Sequence, residues 1–495
     1  MIWFDVRDVP GYVDFVKIEP IFKGLSSDKK YYIETTDGQR LLLRVNDIAK
    51  HDRKKAGCER MQRMDAADVP VPRLMDVGAC NNGNNYYLLT TWFHGENMKK
   101  ALPLLSETEQ YVTGLKVGAV SVIDWQICDF EGYGDPWDDF RSNQCEASPH
   151  FATGCINGYF DNEIPAEFWK LNAFYMAVGS ITSIPCAYYR YPSELEPLIE
   201  HNLNVLRWFD NMINPVPTWY LKDFYIQWTD GKPYKLKSPV DFSFLSKYGK
   251  VFKVFDNQGS GNICFGVADS ENKYFVKFAG APTGNYSGAP QDAIERLKCA
   301  VPAYWDLAHP NLIRLISDEE INNGYAVVFE WVDAIHVWTP DGGQEFKRLP
   351  QETHFKIFDE ILDFHAHMAA KGYTALDFYE DHIMWDVVNE RTVICDIDFY
   401  SKGWYEGMSG IWNTDCEWYS PEQFIDGAAI DEVSCVYAMG ATAFALFGDG
   451  RDRCIEKWKL SKGLFDVAKR AASDDRNQRQ QSVRQLIDEW EAAKQ

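Results

Sequence analysis

Val251-Phe252-Lys253-Val254-Phe255 is followed by Gly259-Ser260-Gly261-Asn262, then Ile263-Cys264-Phe265-Gly266-Val267, then Tyr274-Phe275-Val276-Lys277-Phe278. Apolar runs of this length, separated by Gly, Asn and Asp turns, predict antiparallel strands joined by hairpins. Glycines between two strands let backbone N–H groups approach an anion without a Cβ in the way, although a plain hairpin turn uses glycine equally well. Lys277 is the more telling residue. A lysine in the centre of an apolar strand is costly unless it is paired or serves an anion, the alternative being an exposed edge position.

Working outward, Ala293-Ile294-Glu295-Arg296-Leu297 reads as a helix carrying a glutamate, and Tyr325 to Phe329 as a further strand ending in the connector Glu330-Trp331. Residues 352–371 place Phe355, Phe358, Ile361 and Leu362 at helical spacing. A polar cluster follows, Gly372-Tyr373-Thr374-Ala375-Leu376-Asp377-Phe378-Tyr379-Glu380-Asp381-His382, and then a hairpin whose second strand ends Ile394-Cys395-Asp396-Ile397-Asp398. Asp396 closes an apolar strand, where a carboxylate can hold a cation, and Asp377 lies on the loop before the hairpin. One or two carboxylates plus phosphate oxygens make a typical Mg²⁺ site, so this pair suits phosphoryl transfer. Each acid taken singly also fits a turn or a cap.

The same layout occurs earlier. Residues 22–34, Leu41-Leu42-Leu43-Arg44-Val45, Cys58-Glu59-Arg60-Met61 and Tyr86 to Trp92 repeat the order of turn, strand with a cation, helix with a glutamate, and final strand. Helical texture follows over 164–212 and again over 455–492. Pro215, Pro217 and Asp230-Gly231-Lys232-Pro233 break the chain between the halves.

The chain has 495 residues, enough for two to four domains at about 150 residues each. Its formal net charge of −23 disfavours nucleic acid and anionic membrane surfaces as partners. Twelve cysteines are scattered with no close pair, against zinc ribbons and redox motifs and in favour of buried free thiols. The acidic start Met1-Ile2-Trp3-Phe4-Asp5 lacks a signal peptide's pattern, and no apolar run reaches a membrane span's length. A cytoplasmic location is expected.

Residues 245–495 resemble a protein kinase domain. The resemblance rests on the elements above together with His309-Pro310-Asn311-Leu312, Ser420-Pro421-Glu422, Val436-Tyr437-Ala438-Met439-Gly440 and Arg479-Gln480-Gln481-Ser482-Val483. Residues 10–220 resemble a truncated aminoglycoside phosphotransferase, through Pro70-Val71-Pro72, Trp92-Phe93-His94-Gly95-Glu96, Val122-Ile123-Asp124-Trp125 and Tyr133 to Phe140. These resemblances imply an α+β fold of two kinase-like units, each a small antiparallel sheet lobe with a mainly helical lobe, the first unit incomplete. They imply domains at 1–220 and 245–495 with a linker at 221–244. They further imply an ATP- and Mg²⁺-dependent phosphotransferase acting on a hydroxyl of a protein or small molecule. Asp377 would be catalytic; Gly259, Gly261, Gly266, Lys277, Glu295, Glu330 and Val332 would bind nucleotide, with Glu295 paired to Lys277; Asp396 and His382 would hold metal. The Glu422–Arg479 pair is expected to be buried.

The departures point to a second reading. The first unit has no His-Gly-Asp loop between Leu105 and Asp124, and Arg44 stands where kinases use Lys. In the second, His-Arg-Asp reads Ala375-Leu376-Asp377, the metal-binding Asn is His382, Asp-Phe-Gly reads Asp396-Ile397-Asp398, and the helix Asp that braces the catalytic loop is replaced near Cys435. A pseudokinase that binds nucleotide or protein without chemistry is therefore the alternative.

Overall fold

The structure is a computed structural model that describes residues 7–22, 28–50, 58, 61, 72–93, 95, 98–119, 136–142, 145–190, 192–222, 224–336, 342–407, 418–448, 450 and 452–494. The chain forms two compact units, Met1–Lys222 and Asp223–Gln495.

The first unit opens with five antiparallel strands: β1 (Phe15–Ile21), β2 (Lys29–Thr35), β3 (Arg40–Asp47), β4 (Leu74–Cys80) and β5 (Asn85–Thr91), in the spatial order β1-β2-β3-β5-β4. Alternation sends Tyr31, Ile33, Leu41, Leu43 and Val45 into one apolar face. Arg44 points the other way, and its guanidinium bonds Asp28 through Nε at 2.9 Å and Nη2 at 2.6 Å. Helices follow: α1 (Glu107–Ala119), α2 (Pro149–Tyr159), α3 (Ala166–Arg190) and α4 (Leu195–Trp208). Asp124, Glu59 and the Pro70-Val71 step lie outside the described residues.

Helices α1 and α2 meet backbone to backbone. A Cβ on Gly114 or Gly118 would fall inside 3.0 Å of the α2 backbone around Phe151 and Cys155; one on Gly154 or Gly158 would do the same at Tyr111 and Leu115. The pairs Gly114/Gly118 and Gly154/Gly158 are four residues apart, so each presents one continuous groove.

The second unit begins with a correction. In place of a linker over 221–244, β6 (Tyr225–Thr229) and β7 (Lys232–Leu236) form a hairpin. Tyr234, Leu236, Phe242 and Leu245 are fully buried against Val251, Ile263, Phe265 and Phe278. The proline and Asp-Gly punctuation marks the hairpin turn, and the apolar residues around it cover a sheet face that would otherwise be wet. Removing such side chains from water contributes about 1.5–3 kcal/mol each.

That sheet comprises β8 (Lys250–Phe255), β9 (Asn262–Ala268), β10 (Lys273–Ala279), β11 (Leu315–Ile321) and β12 (Gly324–Glu330), in the order β11-β12-β10-β9-β8, all antiparallel. Its other face takes α5 (Pro290–Asp306), which buries Ile294, Leu297, Val301 and Tyr304. Next come the short strand β13 (Ile335–His336) and α6 (Gln351–Ala370), the helix expected from the periodicity. The polar cluster then spans β14 (Tyr373–Ala375), β15 (Ile383–Asp386), β16 (Arg391–Ile394) and β17 (Tyr400–Lys402). Helix α7 (Glu432–Phe447) starts at an Asp431/Ser434 capping box and is buried on nearly every side, as an all-apolar helix must be. Helices α8 (Lys462–Ala471) and α9 (Val483–Lys494) pack around it. Together this is a mixed α+β chain with an antiparallel sheet followed by helices in each unit.

Glu422 and Arg479 form the expected buried pair. Arg479 donates through Nη1 at 2.7 Å and Nη2 at 3.0 Å to the two carboxylate oxygens, and Ser434 Oγ adds a bond of 2.7 Å. The Arg479 side chain is fully buried and its guanidinium lies 4.9 Å from the Tyr437 ring centroid.

Two outcomes follow for stability. Gly154→Leu would force the glycine-paired helices apart; overpacking of this kind typically costs about 1–3 kcal/mol, read as a lowered unfolding midpoint of the first unit. Burial pushes the Glu422 carboxyl up, but the Arg479 hydrogen bonds outweigh it and leave its pKa below the ordinary 4.5. A depressed folded pKa stabilises above the unfolded value and is lost as pH falls through the folded one. Denaturant titrations from pH 6 to 3 should show wild type losing stability below about pH 4.5, and Glu422→Gln, already destabilised at pH 6 by the stranded arginine, should lose less over that window.

Candidate active site

Lys277 lies at the middle of β10, opposite Cys264 on β9 and Val327 on β12. Its side chain is 7% exposed, and its ammonium sits 2.9 Å from Asp396 Oδ1 and 2.6 Å from Asp398 Oδ2. Burial alone would lower its pKa, but the two carboxylates overcome this and raise it, so the lysine is held charged. The aspartates differ: the Asp396 side chain is 47% exposed and that of Asp398 is 4% exposed. Lys277 draws the Asp396 carboxyl below its usual range against desolvation, whereas desolvation prevails at Asp398 and raises it.

Asp396 has φ 56, in the left-handed region that a non-glycine residue seldom enters. The chain turns there as it leaves β16, which brings both carboxylates onto Lys277. Tyr304 of α5 completes the arrangement: its hydroxyl accepts from the Ile397 amide at 3.0 Å and donates to Asp398 Oδ1 at 3.1 Å.

Glu295 is not part of this group. It is exposed and accepts from Gln291 Nε2 at 3.2 Å. The expected Lys277–Glu295 pair is therefore replaced by Lys277–Asp398. The cause is helical phase: α5 turns Ile294, Leu297, Val301 and Tyr304 inward, and Glu295 falls outside that stripe.

The glycines divide. Gly259 has open space around its Cβ position. Gly261 has φ +80, and a Cβ there would meet the Tyr286 ring at 2.6 Å. The same loop is held by Arg296, whose guanidinium bonds the Ser260 carbonyl and lies 5.8 Å from both the Tyr286 and Phe399 rings. Gly266 is taken up by the protein itself. Strand β8 bulges at Phe252, and a Cβ on Gly266 would meet Phe252 Cζ at 2.8 Å and Trp331 Cζ3 at 2.9 Å. Glu330 turns its carboxylate to Arg391 at 3.2 Å and to Arg314 at 3.4 Å, while Val332 is partly buried against the core.

Asp377 accepts from the Tyr419 hydroxyl at 2.7 Å, and burial raises its pKa. The loop carrying it is braced from below. Gln423 Nε2 donates to the Leu376 carbonyl at 2.9 Å, and the Ala375 amide lies 3.3 Å from Cys435 Sγ, so a thiol of the buried helix braces this loop. His365 of α6 is fully buried; desolvation pulls its pKa down to about 4, and it bonds the Tyr400 hydroxyl at 2.9 Å. His382 is 4% exposed, and its Nδ1 has no hydrogen-bond partner. It interacts electrostatically with both Asp377 and Asp396, in the direction that favours their ionised forms. As a nitrogen donor it is a poor ligand for Mg²⁺, which takes oxygen. Among the described residues no group of three or more His, Cys, Asp or Glu gathers as a metal site, so a cation at Asp396 needs its remaining oxygens from phosphate or water.

Residues 17–120 match the model of the phosphotransferase enzyme family (APH). The match spans the first unit's sheet through α1 and stops short of the second unit. No curated protein matches the chain. Among the described residues no helix is long and apolar enough to cross a membrane.

Of the site residues expected from the sequence, Lys277 and Asp396 are brought into contact; Asp398 and Tyr304, which join them, and Tyr419, which bonds Asp377, were not among those expected. The Asp396-x-Asp398 spacing was the available signal for Asp398, and the seven-residue step from Leu297 for Tyr304.

Asp381, beside His382, carries a buried Oδ1 without a hydrogen-bond partner; burial and the neighbouring Glu380 push its pKa up to about 7. A carboxyl whose folded pKa is raised costs stability as pH climbs from its unfolded value of 3.8 to about 7. Asp381→Asn should therefore be more stable than wild type at pH 8 and indistinguishable from it near pH 3.5, measured by denaturant midpoints.

Proposed function

We propose that this chain is an ATP- and Mg²⁺-dependent phosphotransferase whose working site is the kinase-like second unit, residues 245–495, and that it transfers the γ-phosphoryl group to a hydroxyl. The observation that carries the reading is the convergence on one buried lysine of the strand-end Asp396, set in a left-handed turn, with Asp377 desolvated on the adjacent loop. Lys277 binds phosphate oxygens, and Asp396, half-exposed, holds Mg²⁺, which neutralises the charge of the transferring group. Asp377 orients the acceptor hydroxyl and takes its proton. The family match in the first unit supports a phosphotransferase reading, and the lack of a His-Gly-Asp motif between Leu105 and Asp124 is the reason for preferring the second unit as the working site. The acceptor is a protein or a small alcohol.

One observation favours the non-catalytic reading instead. Phe252 and Trp331 occupy the space beside Gly266, the glycine that the nucleotide-binding reading needs open.

Turnover decides between the two. Purified full-length protein with labelled ATP and Mg²⁺, offered peptide and small-alcohol pools, should release ADP, and Asp377→Ala should lower the rate by about 10²-fold or more, the scale of a general-base contribution. ATP binding without turnover, unchanged in Asp377→Ala, would establish the non-catalytic reading.

A further inference from the structure

We infer that Asp398, braced by Tyr304, is the positioning residue that anchors Lys277, taking over the task that the resemblance assigns to Glu295. This rests on the phosphotransferase reading only for its effect on activity; the anchoring itself is a property of the fold.

A lysine ammonium with 7% exposure needs a counter-charge that water cannot dilute. Of the two carboxylates it meets, Asp396 is half in solvent, and a phosphate-bound cation would compete for it. Asp398 is 4% exposed and closer, at 2.6 Å. Its second oxygen is occupied by the Tyr304 hydroxyl, whose own lone pair takes the Ile397 amide. The Tyr304 ring rests on Phe329 of β12, 4.8 Å between centroids. Asp398 is therefore fixed at both oxygens by groups from two elements. Helix α5 contributes a hydrogen bond to the anchor in place of a charge to the lysine. Asp396, with its side chain 47% exposed, is the one of the two carboxylates that solvent or a cation can still reach. The other ionisable neighbours of Lys277 are Cys264 across the strand pair, and Asp377 and Cys395 farther off.

The test uses the full-length chain, pulse-labelled with an amine-reactive acylating reagent from pH 7 to 11, with the Lys277 peptide quantified by mass spectrometry. Only the free amine reacts, so the pH profile reads the pairing and not access alone. In Asp398→Asn the profile should move to lower pH, with labelling at pH 9 at least about tenfold faster, the change for a one-unit fall in pKa. Tyr304→Phe should move it the same way by less, Asp398→Glu should restore the slow profile, and Glu295→Gln should superimpose on wild type. A Glu295→Gln shift as large as that of Asp398→Asn, or an unmoved Asp398→Asn profile, overturns the inference. If Asp398→Asn fails to fold by circular dichroism, Tyr304→Phe decides: a shift to lower pH supports the anchor and a wild-type profile overturns it. ATP turnover is assayed in parallel. Its absence in wild type removes the phosphotransferase reading and leaves the labelling result to stand for the anchor.

Discussion

A single ammonium buried in the middle of a sheet governs the second unit. Lys277 cannot be left alone between apolar strands, since a lone charge there would either neutralise or pull the strand apart. Two aspartates answer it, and bringing both to one place makes the chain leave β16 through a left-handed residue that is neither glycine nor asparagine. That turn in turn needs the Ile397 amide and the Asp398 carboxylate satisfied, and the Tyr304 hydroxyl of α5 does both. Sheet, helix and the loop after β16 are thus tied at one point by charge and hydrogen bonding, where apolar packing alone would set position less sharply.

The loop bearing Asp377 is held from the helical side by a separate set of contacts. Glu422 and Arg479 clamp the 3-10 turn at Pro421–Phe424 to the segment before α9. Gln423 of that same turn reaches the Leu376 carbonyl, and Cys435 of the buried α7 meets Ala375. Asp377 is placed by the helical core, whereas Asp396 is placed by the lysine of the sheet, so the two carboxylates have independent foundations.

What the sequence made legible were features that a residue carries on its own face. The strands, α6 and the strand-end Asp396 follow from alternation, helical spacing or an unusual charge among apolar neighbours, whereas the buried Glu422–Arg479 pair was expected only from the resemblance of Ser420-Pro421-Glu422 and Arg479 to kinase motifs. What it hid were matters of phase and register. Glu295 seemed paired because it lies on the right helix, but the inward stripe of α5 runs through Ile294, Leu297 and Tyr304. Gly266 seemed reserved for a nucleotide, but the bulge at Phe252, which no local pattern announces, turns an aromatic ring into its space. The stretch from Tyr225 to Leu245 seemed a linker because prolines and an Asp-Gly turn punctuate it, although its apolar residues cover a sheet face.

The glycine-lined contact of α1 with α2 has a mechanical meaning as well. Where two helices touch through side chains, the layer between them can reshuffle rotamers and let one helix slide or roll. With Gly114 and Gly118 seated against the backbone at Phe151 and Cys155, and Gly154 and Gly158 against that at Tyr111 and Leu115, no such cushion exists. A slip of one residue would drive the Cβ of Thr113 or Val117 into a carbonyl. The two helices are keyed together like a splined shaft, and any displacement of this part of the first unit carries them as one rigid piece.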